Sequence, residues 1–158
     1  MLFDYNQIIP GRLWVGSFVR PEDAKQLRRM GITIVVSLQS NEDLKERHIS
    51  LKKLIHALSE ANIDLRRVPV RDFSKEDLAR QLPKCVAELE AALAPGWAKA
   101  YVHCTAGINR SPTVAAAYLI KSRGLSAREA CEHVAAKRDC SPYLDVLEKY
   151  QTTLSNDE

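Results

Sequence analysis

With 158 residues, 46% of them hydrophobic, the chain is long enough for one domain with a proper core and ordinary for a globular protein. Its formal charge of +3 suits an anionic ligand but is too small an excess to indicate nucleic acid. No stretch reaches the apolar length of a bilayer span, and Met1-Leu2-Phe3-Asp4 opens no basic, apolar leader, so the expectation is a cytoplasmic monomer without a membrane partner.

Arg12-Leu13-Trp14-Val15-Gly16 reads as a short strand after the Pro10-Gly11 turn. A helix is predicted from Pro21, with Glu22 and Asp23 in its first turn, Ala24, Leu27 and Met30 on its apolar side and Gly31 past its end. Ile32 to Leu38 predicts a strand buried on both faces. Asn41 to Arg47 is polar and reads as loop. Leu51, Leu54, Ile55 and Leu58 share one face, which predicts a helix over Ser50 to Ala61. Ile63 to Val70 is the next strand, and Arg71-Asp72-Phe73-Ser74 is a loop. A helix follows from about Lys75 to Leu93, in which Pro83 should introduce a bend or a break. Ala100-Tyr101-Val102 reads as a buried strand running into Cys104. Three helices complete the chain: one from Pro112 capped by Ser111, one capped by Ser126 with Glu129 three residues on, and one from about Pro142. Strand and helix alternate, so the expected fold is one α/β domain over residues 1–158, with a central, mostly parallel sheet flanked by helices.

The chemistry is concentrated in Val102-His103-Cys104-Thr105-Ala106-Gly107-Ile108-Asn109-Arg110-Ser111-Pro112. A thiol ends an apolar strand, a short loop follows, and then a helix begins. The loop amides of Thr105, Ala106, Gly107, Ile108 and Asn109 can point into one centre with the positive end of the helix behind them, a ready site for a dianion. Gly107 lets the loop turn, and Asn109 is the non-glycine type that best tolerates a left-handed conformation. The same field favours a thiolate at Cys104. Arg110 offers a planar fork to two phosphate oxygens, which a lysine cannot. The reaction implied is phosphoryl transfer to sulfur and hydrolysis of the phosphocysteine, with no metal and no cofactor. A phosphate ester also needs its leaving oxygen protonated, and Asp72, in the loop after a strand, is the best candidate acid; the bland alternative is a turn or helix cap. Of the other cysteines, Cys85, Cys131 and Cys140, none forms a C-x-x-C pair or sits with a histidine cluster, so no zinc site is predicted. A reducing compartment is the simplest setting.

His103-Cys104-x5-Arg110-Ser111 resembles the signature of the cysteine-dependent protein-tyrosine and dual-specificity phosphatases. The resemblance implies Cys104 as nucleophile, Arg110 as phosphate ligand, Ser111 assisting breakdown of the phosphoenzyme and His103 orienting the loop. It also implies Asp72 as acid, thirty-two residues before Cys104. Val15-Gly16-Ser17, Pro21-Glu22-Asp23, Ser37-Leu38-Gln39, Arg71-Asp72-Phe73, Gln81-Leu82-Pro83-Lys84 and Lys137-Arg138-x-Cys140-x-Pro142 are similar to the plant starch-phosphate (glucan) phosphatases. The chain departs from that pattern at Asn109, where it has glycine, and at Lys45-Glu46-Arg47-His48, where the plant enzymes supply an aromatic. Phe73, His48 and Tyr143 are candidates for a substrate platform, with Tyr5 and Trp14 further ones. A phosphorylated glucan, a phosphoprotein carrying phosphotyrosine or phosphoserine/threonine, and a catalytically inactive phosphate- or glucan-binding module are the three readings carried forward.

Overall fold

The side chains of three neighbouring strands alternate between two separate cores, and that alternation places every helix. The computed structural model describes residues 2–157. Its sheet contains β1 (Tyr5–Ile9), β2 (Leu13–Gly16), β3 (Ile34–Ser37), β4 (Asp64–Arg67) and β5 (Ala100–His103) in the order β1-β2-β5-β3-β4. β2, β5, β3 and β4 run parallel, and β1 adds an antiparallel edge. Successive side chains point to opposite faces of a strand. Leu13, Val15, Ile34, Val36, Ala100 and Val102 therefore face one core, and Trp14, Val35 and Tyr101 the other.

The first face is covered by α4 (Lys75–Leu93), α5 (Arg110–Arg123), α6 (Ala127–Lys137) and α7 (Leu144–Asn156). The second is covered by α1 (Ala24–Met30) and α3 (Leu51–Glu60), while the short α2 (Asn41–Glu46) lies between β3 and α3 in the chain. α5 is buried along most of its length, including Val114, Ala115, Ala116, Ala117, Leu119 and Ile120. Its small residues let α4, α6 and α7 pack around it, so a helix buried nearly all round stands directly behind the central strand β5.

The α/β expectation and most elements match the structure. Pro21–Asp23 forms a 3-10 turn leading into α1, and Gly31 ends α1 at φ 82°. Ser126 and Glu129 form the predicted capping box of α6. Three expectations are corrected. Tyr5–Ile9 is a strand, missed because the exposed polar pair Asn6 and Gln7 breaks the apolar run. Asn41–Glu46 is a helix, held by a Ser40–Asp43 capping box and anchored by Leu44. α4 is not broken at Pro83 but runs through it as one helix, the ring on the exposed side while Leu82, Cys85 and Val86 hold the opposite side in the core.

An interior proline removes one helical hydrogen bond and crowds the preceding turn. Pro83→Ala is therefore expected to stabilise the protein by about 1–3 kcal/mol, read as a higher urea midpoint at unchanged m-value. An unchanged or lower midpoint would contradict this account of α4.

Candidate active site

β5 is the middle strand of five, and the chain leaves its carboxyl end at Cys104 to enter α5 at Arg110. Ligands in open α/β sheets are held at this edge. Every carbonyl from Cys104 to Asn109 is bonded away from a common centre. Cys104 O accepts from His103 Nδ1 (2.8 Å), and Thr105 O from the Phe18 amide (2.9 Å). Ala106 O accepts from Arg138 Nη2 (3.2 Å) and Gly107 O from Arg138 Nε (2.8 Å). Ile108 O accepts from the Ser141 amide (2.8 Å), and Asn109 O from the Thr113 amide (3.1 Å) and hydroxyl (2.7 Å). A peptide group held by its oxygen presents its N–H to the other side, so the loop turns its donors inward.

Gly107 has φ +72°, and a Cβ there would lie 2.6 Å from the Gly16 backbone. The loop thus rests on the end of β2 with no room between. Asn109 has φ −118°, so the left-handed residue of the loop is Gly107 alone, and Asn109 instead stands at the N-cap of α5. The helix begins at Arg110, and Ser111 lies inside its first turn rather than capping it. There the Ser111 hydroxyl sits 3.3 Å from the Sγ of Cys104, a residue that is 3% exposed. Pro112 still falls among the first four positions, where a missing N–H costs no helical bond.

Arg110 is buried beside the loop. Its Nη1 donates to Asp43 Oδ2 (2.7 Å) and Val70 O (2.8 Å), and its Nη2 lies 3.4 Å from Thr105 Oγ1 and 3.3 Å from Asp72 Oδ2. One edge of the guanidinium is anchored in the protein and the other faces loop and acid. Burial opposes the charge on both Arg110 and Asp43. Their mutual bond, with the Ser40 bonds to Asp43, outweighs it, raising Arg110 above its ordinary value and lowering Asp43 below its own. Asp43 was invisible as a site residue because it sits in a polar run; its only sequence signal is the Ser40-x-x-Asp43 capping box, which fixes the carboxylate that Arg110 meets. Arg138 was equally missed as a partner of the loop. Gln39 is a third such residue, donating through Nε2 to Thr105 Oγ1 (3.1 Å).

The structure brings Cys104, Arg110, Ser111 and Asp72 together as the sequence suggested. Phe73, next to Asp72, is 86% exposed at φ 59°, a conformation costly for a bulky residue that holds its ring out to solvent. His48 is exposed just past α2, also at positive φ. Tyr143 is half-buried with the Lys75 ammonium 4.9 Å over its ring, Trp14 is buried in the second core, and Tyr5 packs on Phe3 and Tyr101. Of the five aromatic or imidazole platform candidates, Phe73 and His48 are the exposed ones. Burial pushes Cys85 up to about 12 and Cys140 up to about 11, which keeps both as thiols. No metal-holding group of three or more His, Cys, Asp or Glu side chains occurs among the described residues.

The family model described as dual specificity phosphatase, catalytic domain, matches residues 13–151. The phosphoglucan phosphatase DSP4, amyloplastic, of Castanea sativa is 36% identical over 146 residues, covering 91% of this chain and 39% of that protein. Human dual specificity phosphatase 28 is 32% identical, covering 90% of this chain and 75% of that one. The chain spans less than half the length of the first curated relatives it matches, 39% of the Castanea protein and 32% of Drosophila melanogaster dual specificity protein phosphatase Mpk3. Among solved structures, PTPMT1 superposes with a TM-score of 0.80 at 24% identity over 98% of both chains, a likeness of fold. Human DUSP28 gives 0.73 at 28% identity over 96% of this chain and 95% of that one.

His103 yields a pH prediction. Its ring is fully buried, Nδ1 donates to Cys104 O, and Nε2 has no partner among the described residues. Burial pushes the ring pKa down to about 4, the Arg110 charge acts the same way, and the Cys104 bond offsets this only in part. Unfolded histidine titrates near 6.5, so between these values the unfolded chain binds a proton that the native chain refuses. The stability contributed by neutral His103 is complete above about pH 6.5 and is lost as pH falls toward 4. In His103→Asn, whose amide nitrogen can replace Nδ1, unfolding free energy measured from pH 7 to 4.5 is expected to fall less steeply than in the parent; equal slopes would refute the buried neutral ring.

Proposed function

The chain belongs to the dual-specificity phosphatase family, and we propose that it hydrolyses phosphate monoesters through a phosphocysteine at Cys104, with phosphorylated glucan as its substrate class. The observation that carries the reaction is that the loop after β5 sets Cys104 Sγ 3.3 Å from the Ser111 hydroxyl at one end and, at the other, the buried Arg110 with Nη2 3.3 Å from Asp72 Oδ2. In the first step Sγ attacks phosphorus, the S–P bond forms and the P–O bond breaks. The leaving oxygen takes a proton from Asp72 and departs as an alcohol. Loop amides and Arg110 hold the three equatorial oxygens while charge develops on them. In the second step water attacks phosphorus, Asp72 takes a proton from it, and the P–S bond breaks to release inorganic phosphate. The Ser111 hydroxyl, at 3.3 Å, stabilises the returning thiolate.

Two observations support the glucan. One is the 36% identity to a phosphoglucan phosphatase across 91% of this chain. The other is Phe73, an exposed aromatic held in a strained conformation beside the acid, where a sugar ring can stack while its phosphate enters the loop. The reading is of one catalytic domain over residues 1–158, acting as a monomer and without cofactor. It is placed in a reducing, cytoplasmic setting, since a nucleophilic Cys104 must stay a thiol.

Phosphate release is to be measured in EDTA with reductant on phosphorylated amylopectin, a phosphotyrosine peptide and a phosphoserine/threonine peptide, with Cys104→Ser as blank. The expected result is the highest kcat/KM on the glucan and no turnover by Cys104→Ser. Turnover by the mutant sinks the mechanism, and higher rates on either peptide transfer the substrate class to phosphoproteins. Asp72→Asn is expected to slow alkyl phosphates by about 100-fold or more and to affect good aryl leaving groups much less. Equal rates of mutant and parent on alkyl esters would move the acid elsewhere.

A further inference from the structure

Arg138 is a buried cation that the reaction above does not use, 5% exposed just after α6. The segment it begins runs directly behind the phosphate loop. Arg138 Nη2 and Nε take the carbonyls of Ala106 and Gly107 at 3.2 and 2.8 Å, and the Ser141 amide takes that of Ile108 at 2.8 Å. Three successive loop carbonyls are therefore bonded by residues 138–141. The loop returns one bond, from Asn109 Nδ2 to Ser141 O at 2.9 Å. The far edge of the guanidinium, Nη1, is held by Asp4 Oδ1 at 2.6 Å and Asn6 Oδ1 at 3.0 Å, at the start of the N-terminal edge strand.

We infer that residues 138–141 form a clamp that presets the phosphate loop, with Arg138 and Asn109 as positioning residues for phosphate binding. The inference rests on the proposed phosphate-binding role of the loop. A peptide group is a dipole. If the carbonyls of Ala106 to Ile108 rotated inward, their negative ends would face the anion in place of the donors. Two parallel donors on one edge of a planar guanidinium match two successive carbonyls, a geometry that an ammonium point charge does not supply. The fit is tight, since a Cβ at Gly107 would lie 2.7 Å from Arg138 Nη2. Asp4 and Asn6 fix the guanidinium from behind, so the edge strand is tied to the loop through one side chain. Asn109 is the position where this chain departs from the glycine of the glucan-phosphatase pattern, and its side chain closes the clamp.

The test is binding of inorganic phosphate to the full chain by titration calorimetry, with kcat and KM on an aryl phosphate and a thermal melt for each variant. Asn109→Ala removes one bond, Arg138→Met removes the clamp's charge and two bonds, and Arg138→Lys returns the charge alone. Phosphate Kd is expected to rise about three- to tenfold in Asn109→Ala and about tenfold or more in Arg138→Met, with KM rising in parallel and kcat changing less. Arg138→Lys should recover only a minor part of the loss. A merely structural Arg138 lowers the melting temperature while the folded molecules keep the parental Kd and KM, and that result overturns the proposal. Should Arg138→Met fail to fold, a Kd within about twofold of the parent in Asn109→Ala overturns it equally. A parent chain that binds phosphate without turning over the ester overturns the proposed reaction and not the clamp; one that binds no phosphate overturns both.

Discussion

The direction in which the peptide groups of residues 104–109 face governs the rest of this site. A short loop has as many acceptors as donors, and an anion tolerates only the donors. The fold resolves this by giving each of these carbonyls a partner on the outside, drawn from β5, the segment after β2, α5 and the segment after α6. None of the amides from Thr105 to Asn109 finds an acceptor among the described residues. Their donors are left open on the side opposite the bonded carbonyls.

Burying charge around that loop demands matching charge. Arg110 is set between Asp43 and Asp72, and Arg138 is set against Asp4. Of these only Arg110–Asp43 is buried on both sides; such a pair contributes little net stability because desolvation offsets the attraction, but removing one partner leaves an uncompensated charge. Asp43 illustrates how few atoms perform several of these tasks. Its Oδ2 accepts from the Ser40 amide (2.8 Å), the Ser40 hydroxyl (3.0 Å) and Arg110 (2.7 Å). The cap of a six-residue helix and the anchor of the Arg110 guanidinium are thus one hydrogen-bonded cluster.

The parts of the fold and site that could be read from the sequence are those encoded by neighbours along the chain. The run from Val102 to Pro112 carries its own strand, loop and helix start, and Asp72 follows its strand closely enough to be placed beside it. The continuous apolar runs of β2, β3 and β5, buried on both faces, and the Ser126–Glu129 box are local in the same sense. What escaped depends on distance. Asp43 meets Arg110 across 67 positions, and Arg138 meets Gly107 across 31 and Asn6 across 132. Nothing near these residues announces the partner, and a polar run or a basic helix end reads as solvated surface until the chain is folded. Ser111 reads as an N-cap because a serine before proline suits that position, whereas in the structure it lies inside the first turn of α5 with its hydroxyl 3.3 Å from Cys104 Sγ.

The contact between Gly16 and Gly107 limits how this scaffold can be remodelled. At Gly16 a Cβ would meet the Tyr101 hydroxyl at 2.2 Å, and at Gly107 it would meet the Gly16 backbone at 2.6 Å. Strand end, loop and a fully buried tyrosine therefore form a stack with no slack in it. Enlarging the cavity from below would require moving β2 and Tyr101 together, at the centre of the second core. Room for change therefore lies at the rim, where Phe73 and the residues around α2 meet solvent. A library aimed at new substrates should leave the floor untouched and vary only that rim.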